Sequence, residues 1–186
     1  ESKIINLDKE KELSIFKDDV VVTTSESNII KSDYAEYNKK KGIITLKNNI
    51  VATDAKKNKL ISDFAIYDQN LKTLQSIGFT KITTPENYTI EGSDIILDDF
   101  KKLISSKKKT IITDQDNNEI FLNNFEYMIN DYIFKSIGEI KIKDNFQNTY
   151  NFSQLYIDTK KKELLGTDIK SFINKDDFKV NKNNKP

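Results

Sequence analysis

A phrase recurs at a fixed distance in this chain, and that recurrence constrains the fold more than any single residue does. IIKSDYAEYN at Ile29–Asn38 returns as LISDFAIYD from Leu60 and as IEGSDIILDD from Ile90. Weaker copies follow as IFLNNFEYM from Ile120 and YNFSQLYID from Tyr150. Each step is thirty residues. Copies at one period must bury their apolar faces on one another, so the chain reads as a stacked repeat.

Four apolar columns hold this register without insertions. They are Ile30, Leu60, Ile90, Ile120, Tyr150 and Val180; Tyr37, Tyr67, Leu97, Tyr127 and Ile157; Ile44, Leu74, Ile104, Phe134 and Leu164; and Val22, Ala52, Ile82, Ile112, Ile142 and Phe172. Between turns rich in Asn, Asp, Lys and Gly, apolar residues alternate with polar ones, as in Glu139–Lys143. That alternation is the pattern of a strand with one buried face, and no stretch carries a long helical stripe. We expect an all-β fold with three strand-like segments in each period.

One irregularity predicts a bend. Inward positions Ile30 and Ser32 are even-numbered, whereas Ala35 and Tyr37 are odd, and the shift repeats at Leu60 to Tyr67. A regular strand cannot change parity. An extra residue must be absorbed, and Asp33, Asp63, Asp94, Asn124 and Gln154 stand at that place. Asp and Asn tolerate the backbone of a bulge. The line of bends predicts a sheet creased along its length, with an apolar concave side. Small residues on that side, Ser32, Ser62, Gly92, Ser76, Ser106 and Ser136, fit either interdigitated packing or an unfilled groove. An open groove favours a lipid carrier, and tight packing with no groove or seam favours a structural or adhesive β-solenoid with a dry core.

Composition removes several function classes. Cys and His are both absent, which removes thiolate sites and the commonest general base and metal ligand. The 30 basic residues, all Lys, balance 29 acidic ones. With no Arg and a net charge of +1, nucleic acid is not an expected partner. No apolar run is long enough to cross a bilayer as a helix. No enzyme activity, cofactor or metal is expected. The 186 residues read as a single domain, and the start at Glu1 and the stop at Pro186 within a repeat suggest a piece of a longer protein.

Two charged patterns have alternative readings. Asp68, Asp98 and Asp158, with Asn38, recur in register and either close turns or form a carboxylate ladder for calcium. The Lys triplets at 39–41, 107–109 and 160–162 are solvated loop tips or attract lipid phosphates.

The phrases SDYAEYNKKKGIITLKNNIVATD and SDFAIYDQNLKTLQSIGFTKITT resemble the OstA-type repeat of bacterial lipopolysaccharide-transport proteins. Ser32-Asp33 to Tyr37-Asn38 and Ser62-Asp63 to Tyr67-Asp68 carry the motif; Gly78 and Gly138 match its Gly-led strand, with Asn48 or Asn49 in that place in the first copy. The resemblance covers essentially the whole chain and is strongest to the N-terminal periplasmic domain of the family's outer-membrane translocon. It implies a β-jellyroll of antiparallel strands folded like a taco, in the periplasm of a Gram-negative cell and attached to the outer membrane. It also implies a lipopolysaccharide ligand, with acyl chains inside and sugars and phosphates at an open seam. Implied partners are an outer-membrane barrel after the C-terminus and a second jellyroll of the same family, docking edge to edge at the N-terminal rung. Disulfide-controlled assembly, known in the family, is not carried over to a chain without Cys.

The expected lipid lining is Ile30, Tyr37, Ile44, Ala52, Leu60, Tyr67, Leu74, Ile82, Ile90, Leu97, Ile104, Ile112, Ile120, Tyr127, Phe134, Ile142, Phe152 and Ile157. The expected docking edge is Ile4, Ile5, Leu7, Ile15, Val20 and Val22.

Overall fold

The structure, a computed structural model, describes residues 1–25 and 27–174. Val180, the last member of one apolar column, lies outside the described residues.

Among the described residues the chain is all strand and turn, with seventeen strands. They are β1 (Ile4–Asp8), β2 (Leu13–Thr23), β3 (Ile29–Asn38), β4 (Ile43–Thr53), β5 (Lys59–Asp68), β6 (Thr73–Ser76), β7 (Phe79–Thr83), β8 (Thr89–Ser93) and β9 (Ile96–Asp98). The remainder are β10 (Leu103–Ser106), β11 (Thr110–Thr113), β12 (Glu119–Leu122), β13 (Phe125–Met128), β14 (Ile133–Lys143), β15 (Thr149–Asp158), β16 (Glu163–Thr167) and β17 (Lys170–Phe172). Every pairing is antiparallel, between consecutive strands or, where a long strand is divided, between its halves and those of the adjoining period (β5 with β7, β6 with β9, β8 with β11, β10 with β13), giving one folded sheet, the jellyroll anticipated above.

Each thirty-residue period contributes two long strands and not three segments. An outbound strand is followed by a return strand, as in β4 and β5, and both bend at mid-length. Where the bend interrupts pairing, one long strand divides, so that β6 and β7 occupy the place β4 holds one period earlier. The stacked bends form a crease that splits the sheet into two wings. The first wing holds the start of each outbound strand and the end of each return strand; the second holds the other halves.

The return-strand bend lies where parity predicts it. Ile30, Ser32 and Ala35 are all buried, with two residues between the last two where regular alternation has one. The outbound strands bend too, which the parity argument missed. There Ile44, Leu46, Ile50 and Ala52 are buried and residues 47–49 bulge outward, so parity is kept. Four residues on β4 pass the corner that three cross on β3, and pairing shifts register at that point. The outbound corner takes left-handed backbone in most periods, at Asp18 and Asp19, Asn48 and Asn49, Gly78, Gly138 and Asp168, though not between Ser106 and Thr110. Asn and Gly visit that region at the least steric cost.

The side chains on the return-strand corner restore hydrogen bonds that the bend breaks. Asn49 donates to the Asp33 carboxylate at 2.7 Å, the Gly78 N–H donates to Asp94 at 3.2 Å, and Asn124 donates to the Ile137 carbonyl at 2.7 Å. The small inward residues do the same from inside. Ser106 donates to the Ser93 carbonyl at 2.8 Å, Ser136 to the Asn124 carbonyl at 2.6 Å, and Ser62 to Phe64 and Phe79 at 3.2 and 3.3 Å. These serines therefore leave no groove; they satisfy backbone groups that a bulge strands away from water.

Ser76 is the most committed of them. Fully buried, it accepts from the Ile95 N–H at 2.9 Å and from Thr80 at 2.7 Å, and donates to the Ile95 carbonyl at 3.2 Å. Ser76→Ala is expected to lower unfolding free energy by about 1–3 kcal/mol, because it leaves buried groups unpaired. Urea denaturation would show the midpoint fall; a midpoint unchanged within error would remove the serines' assigned role.

Turns at both wing tips are built alike. At the first-wing tips Asn38 accepts from Lys41 N–H at 3.0 Å, Asp68 from Leu71 at 3.0 Å, Asp98 from Lys101 at 2.8 Å and Asp158 from Lys161 at 2.8 Å. The recurrent carboxylates thus close turns. At the second-wing tips Asp54, Asp114 and Asp144 each accept the N–H of the Asn four residues on, at 2.8 or 2.9 Å. Burial opposes the charge of Asp144, but hydrogen bonds from Asn148, Tyr150 and Phe146 outweigh it and hold its carboxyl below the usual range.

Candidate functional site

The candidate site is the space between the wings. Of the expected lining residues, all but Tyr37 and Leu97 are buried, and those two are half-buried against the core. Residues nearer the crease complete the interior, among them Leu46, Ile50, Ile95, Phe125, Ile140 and Leu155. Their columns, such as 35, 65, 95, 125 and 155, follow the same thirty-residue register as the four already counted. Burial also pushes the Tyr127 hydroxyl above its ordinary pKa.

This interior is closed. Two spaces lie between the wings, one behind Ile30, Leu60, Tyr67, Leu74 and Leu97, the other behind Ile90, Ile112, Tyr127, Phe134 and Ile157. Each offers about 20 Å³ to the centre of a water-sized sphere. That is room for about one water and far too little for a hydrocarbon chain. An open trough along the molecule is therefore not what the structure holds.

The seam opposite the crease is closed as well, and it is closed out of step. Asn28, at a second-wing tip, donates to Asp99 at a first-wing tip 71 residues later. Lys56 reaches Ile129 and Asn130, 73 and 74 residues on. The right-handed twist of the sheet carries each wing past its own rung, so a tip meets one roughly two and a half periods further along. At the C-terminal end the second wing consequently lacks an opposite number among the described residues. A mouth of about 460 Å³ opens there, lined by Ile120, Ile142, Tyr150, Phe152 and Leu164 with Asp114, Asp116, Asp144 and Glu163 at its rim. Beside it burial and then the charges of Asp114, Asp116 and Glu86 raise the pKa of Tyr88.

The expected docking edge divides. Ile4, Ile5 and Leu7 are exposed on β1, which pairs with β2 alone among the described residues, so its other backbone side is free. Ile15 is half-buried on β2. Val20, 2% exposed, belongs to the core, and Val22 packs against it. Both point inward because the outbound parity is kept across the bend, and their side chains are not available to a partner.

No family model matches the chain, and no curated protein matches it. Among solved structures, it is similar to LptH of Pseudomonas aeruginosa, the LptA-homologous periplasmic component of the lipopolysaccharide transport device. Identity is 14%, covering 79% of this chain and 94% of that one, with a TM-score of 0.33. A second likeness is to the TCP10 domain of Danio rerio CPAP bound to a STIL peptide, at 9% identity, 83% and 97% coverage and a TM-score of 0.16. Overlaps of this quality carry no argument; the fold rests on the chain's own pairing and the function on its own interior.

Proposed function

We propose that the chain is a non-enzymatic conduit that carries the acyl chains of lipopolysaccharide between its wings, in the periplasm on the way to the outer membrane. One observation carries the reading. The wings are covalently continuous only at the crease, while their facing surfaces are apolar from rung to rung, and the opposite seam is held by a few polar contacts. Burying a methylene is worth about 0.8 kcal/mol, so a fourteen-carbon chain gains on the order of 10 kcal/mol inside such a surface. No directional chemistry is needed, and similar rungs allow sliding. The OstA-type repeat supports the same substrate. Because the interior is closed, the wings must part to admit a chain, and the C-terminal mouth is the place of entry or exit.

The two ends supply the partners this reading needs. The N-terminal edge, with Ile4, Ile5 and Leu7 exposed, accepts a second jellyroll by strand addition. The C-terminal end, with its mouth, faces an outer-membrane barrel.

A second reading is favoured by the closed interior itself: a structural β-solenoid with a dry core. A photo-crosslinking side chain at Ile112, on the inner face, and another at Lys141, on the outer face, separate the two. Labelling of lipopolysaccharide at residue 112 and not at 141 is expected. Equal labelling would sink the lining, and absence of lipid in mass spectra of natively purified protein would favour the dry solenoid.

A further inference from the structure

The first-wing turns are tied to one another in a line. The leading N–H of each donates to the last carbonyl of the turn before: Lys39 to Glu12, Gln69 to Gly42, Asp99 to Lys72, Ile129 to Lys102 and Thr159 to Tyr132, at 2.9 or 3.0 Å. Neighbouring turns therefore stand about 10 Å apart, two strand spacings. Two of them carry apolar side chains that the core does not take up. Leu71 is 64% exposed, and Phe100, at 83%, is the most exposed large apolar side chain among the described residues. Equivalent places in other turns hold Lys40, Lys41, Asn130 and Asp131, so closing the turn requires nothing apolar there.

The same stretch of rim is basic. Turns 38–42, 68–72 and 98–102 hold six lysines and three aspartates, a net of +3. The aspartates are engaged by the protein itself. Asp68 accepts from the N–H groups of Asn70 and Leu71 at 2.8 and 3.0 Å, Asp98 from that of Lys101 at 2.8 Å, and Asp99 from the Asn28 side chain. Lys39, Lys40 and Lys41 are exposed and pair with no carboxylate among the described residues. The last three second-wing turns, 84–88, 114–118 and 144–148, are opposite in sign, with Glu86, Asp114, Asp116 and Asp144 and no lysine.

Single apolar side chains on separate turns, set among ammonium groups, lack the contiguous apolar centre that a protein partner needs. They suit a bilayer, whose headgroup layer yields around each side chain while anionic lipids meet the lysines. We propose that the first-wing rim between residues 38 and 102 docks on an anionic phospholipid bilayer. Leu71 and Phe100 enter the boundary between headgroups and acyl chains, and Lys39, Lys40 and Lys41 lie against the phosphates. No lipid leaves the bilayer in this contact and the interior takes no part. The docking therefore stands or falls separately from the acyl-chain path. The acidic second-wing turns are repelled by the same surface, which sets the edge of the molecule that faces it.

The chain has no Trp, so Phe100→Trp supplies one indole that reports its own surroundings. With vesicles of equal parts phosphatidylglycerol and phosphatidylcholine, its emission is expected to shift to the blue and to be quenched by lipids brominated on their acyl chains. Phe146, 65% exposed at a second-wing turn, is the control, and Phe146→Trp should show neither effect. In sedimentation with the same vesicles, Leu71→Ser/Phe100→Ser should lower affinity at least tenfold. Lys39→Gln/Lys40→Gln/Lys41→Gln should do the same and remove most of the salt dependence. Vesicles of phosphatidylcholine alone should bind the unaltered protein at least tenfold more weakly. All five substituted positions are exposed, and circular dichroism checks that each variant is folded. No binding by the unaltered protein, or equal indole responses at residues 100 and 146, overturns the docking rim. Unchanged affinity in folded Leu71→Ser/Phe100→Ser overturns the insertion, and equal affinity for the two kinds of vesicle overturns the role of the lysines.

Discussion

Truncating Phe125 to alanine is expected to cost about 3–5 kcal/mol of stability and to lower Tm by roughly 6–20 °C. Phe125 is 1% exposed, stands beside the crease, and stacks on Phe134 with ring centres 5.5 Å apart. Its column holds Ala35 and Ala65 in the first copies and Ile95, Phe125 and Leu155 later, so the ring fills a space that other rungs fill differently. The crease is stitched on both sides and cannot collapse into the void. Phe100, a ring 83% exposed at a first-wing tip, is the control: its truncation should stay within about 0.5 kcal/mol. A loss at Phe125 no larger than the control's would mean that the interior near the crease is not close-packed.

The second large effect concerns transfer. Ile112→Asp puts a carboxylate between Ile90 and Ile120 on the inner face, where an unpaired charge costs several kcal/mol. It is expected to reduce acyl-chain binding at least tenfold. Lys141→Asp, on the same sheet but facing out, should change binding less than twofold. Circular dichroism separates lost binding from lost fold. Ile112→Thr keeps the β-branch while replacing the ethyl arm by a hydroxyl, so it should give the same ordering more mildly in a folded protein. Equal losses at residues 112 and 141 in folded variants would remove the inner face from the path.

The columns were legible because their signal is apolar and periodic. Every copy must bury the same face, so Ile30 to Ile120 and Ile82 to Ile142 announce themselves by spacing. The return-strand bend was legible for a related reason, since a three-residue step from Ser32 to Ala35 breaks alternation. Its partner on the outbound strand was hidden. A four-residue step from Leu46 to Ile50 leaves alternation intact, and only the paired left-handed residues Asn48 and Asn49 betray it. Because that corner bends a strand without ending it, each period holds two long strands where three segments were expected, and Val20 and Val22, expected at the docking edge as part of the first rung, face the core. The serines beside the crease were ambiguous because spacing gives their position but not which carbonyl lacks a partner. The seam was illegible altogether. Lys56 meets Ile129 through the accumulated twist of several strands, and twist leaves no mark in a list of residues.

That offset sets a limit on how small this protein can be. In most repeat proteins a unit touches only its neighbours, and stability grows by adding units one at a time. Here the seam contacts of Asn28 with Asp99 and of Lys56 with Ile129 span 71 and 73 residues, so a piece shorter than that lacks both. Two copies alone would be a twisted ribbon with one greasy side facing water. Folding must therefore bring distant segments together before the sheet gains its closure, which favours slow, cooperative folding over growth from one end. Lengthening the protein by a copy would extend the path; shortening it to two would leave no inside.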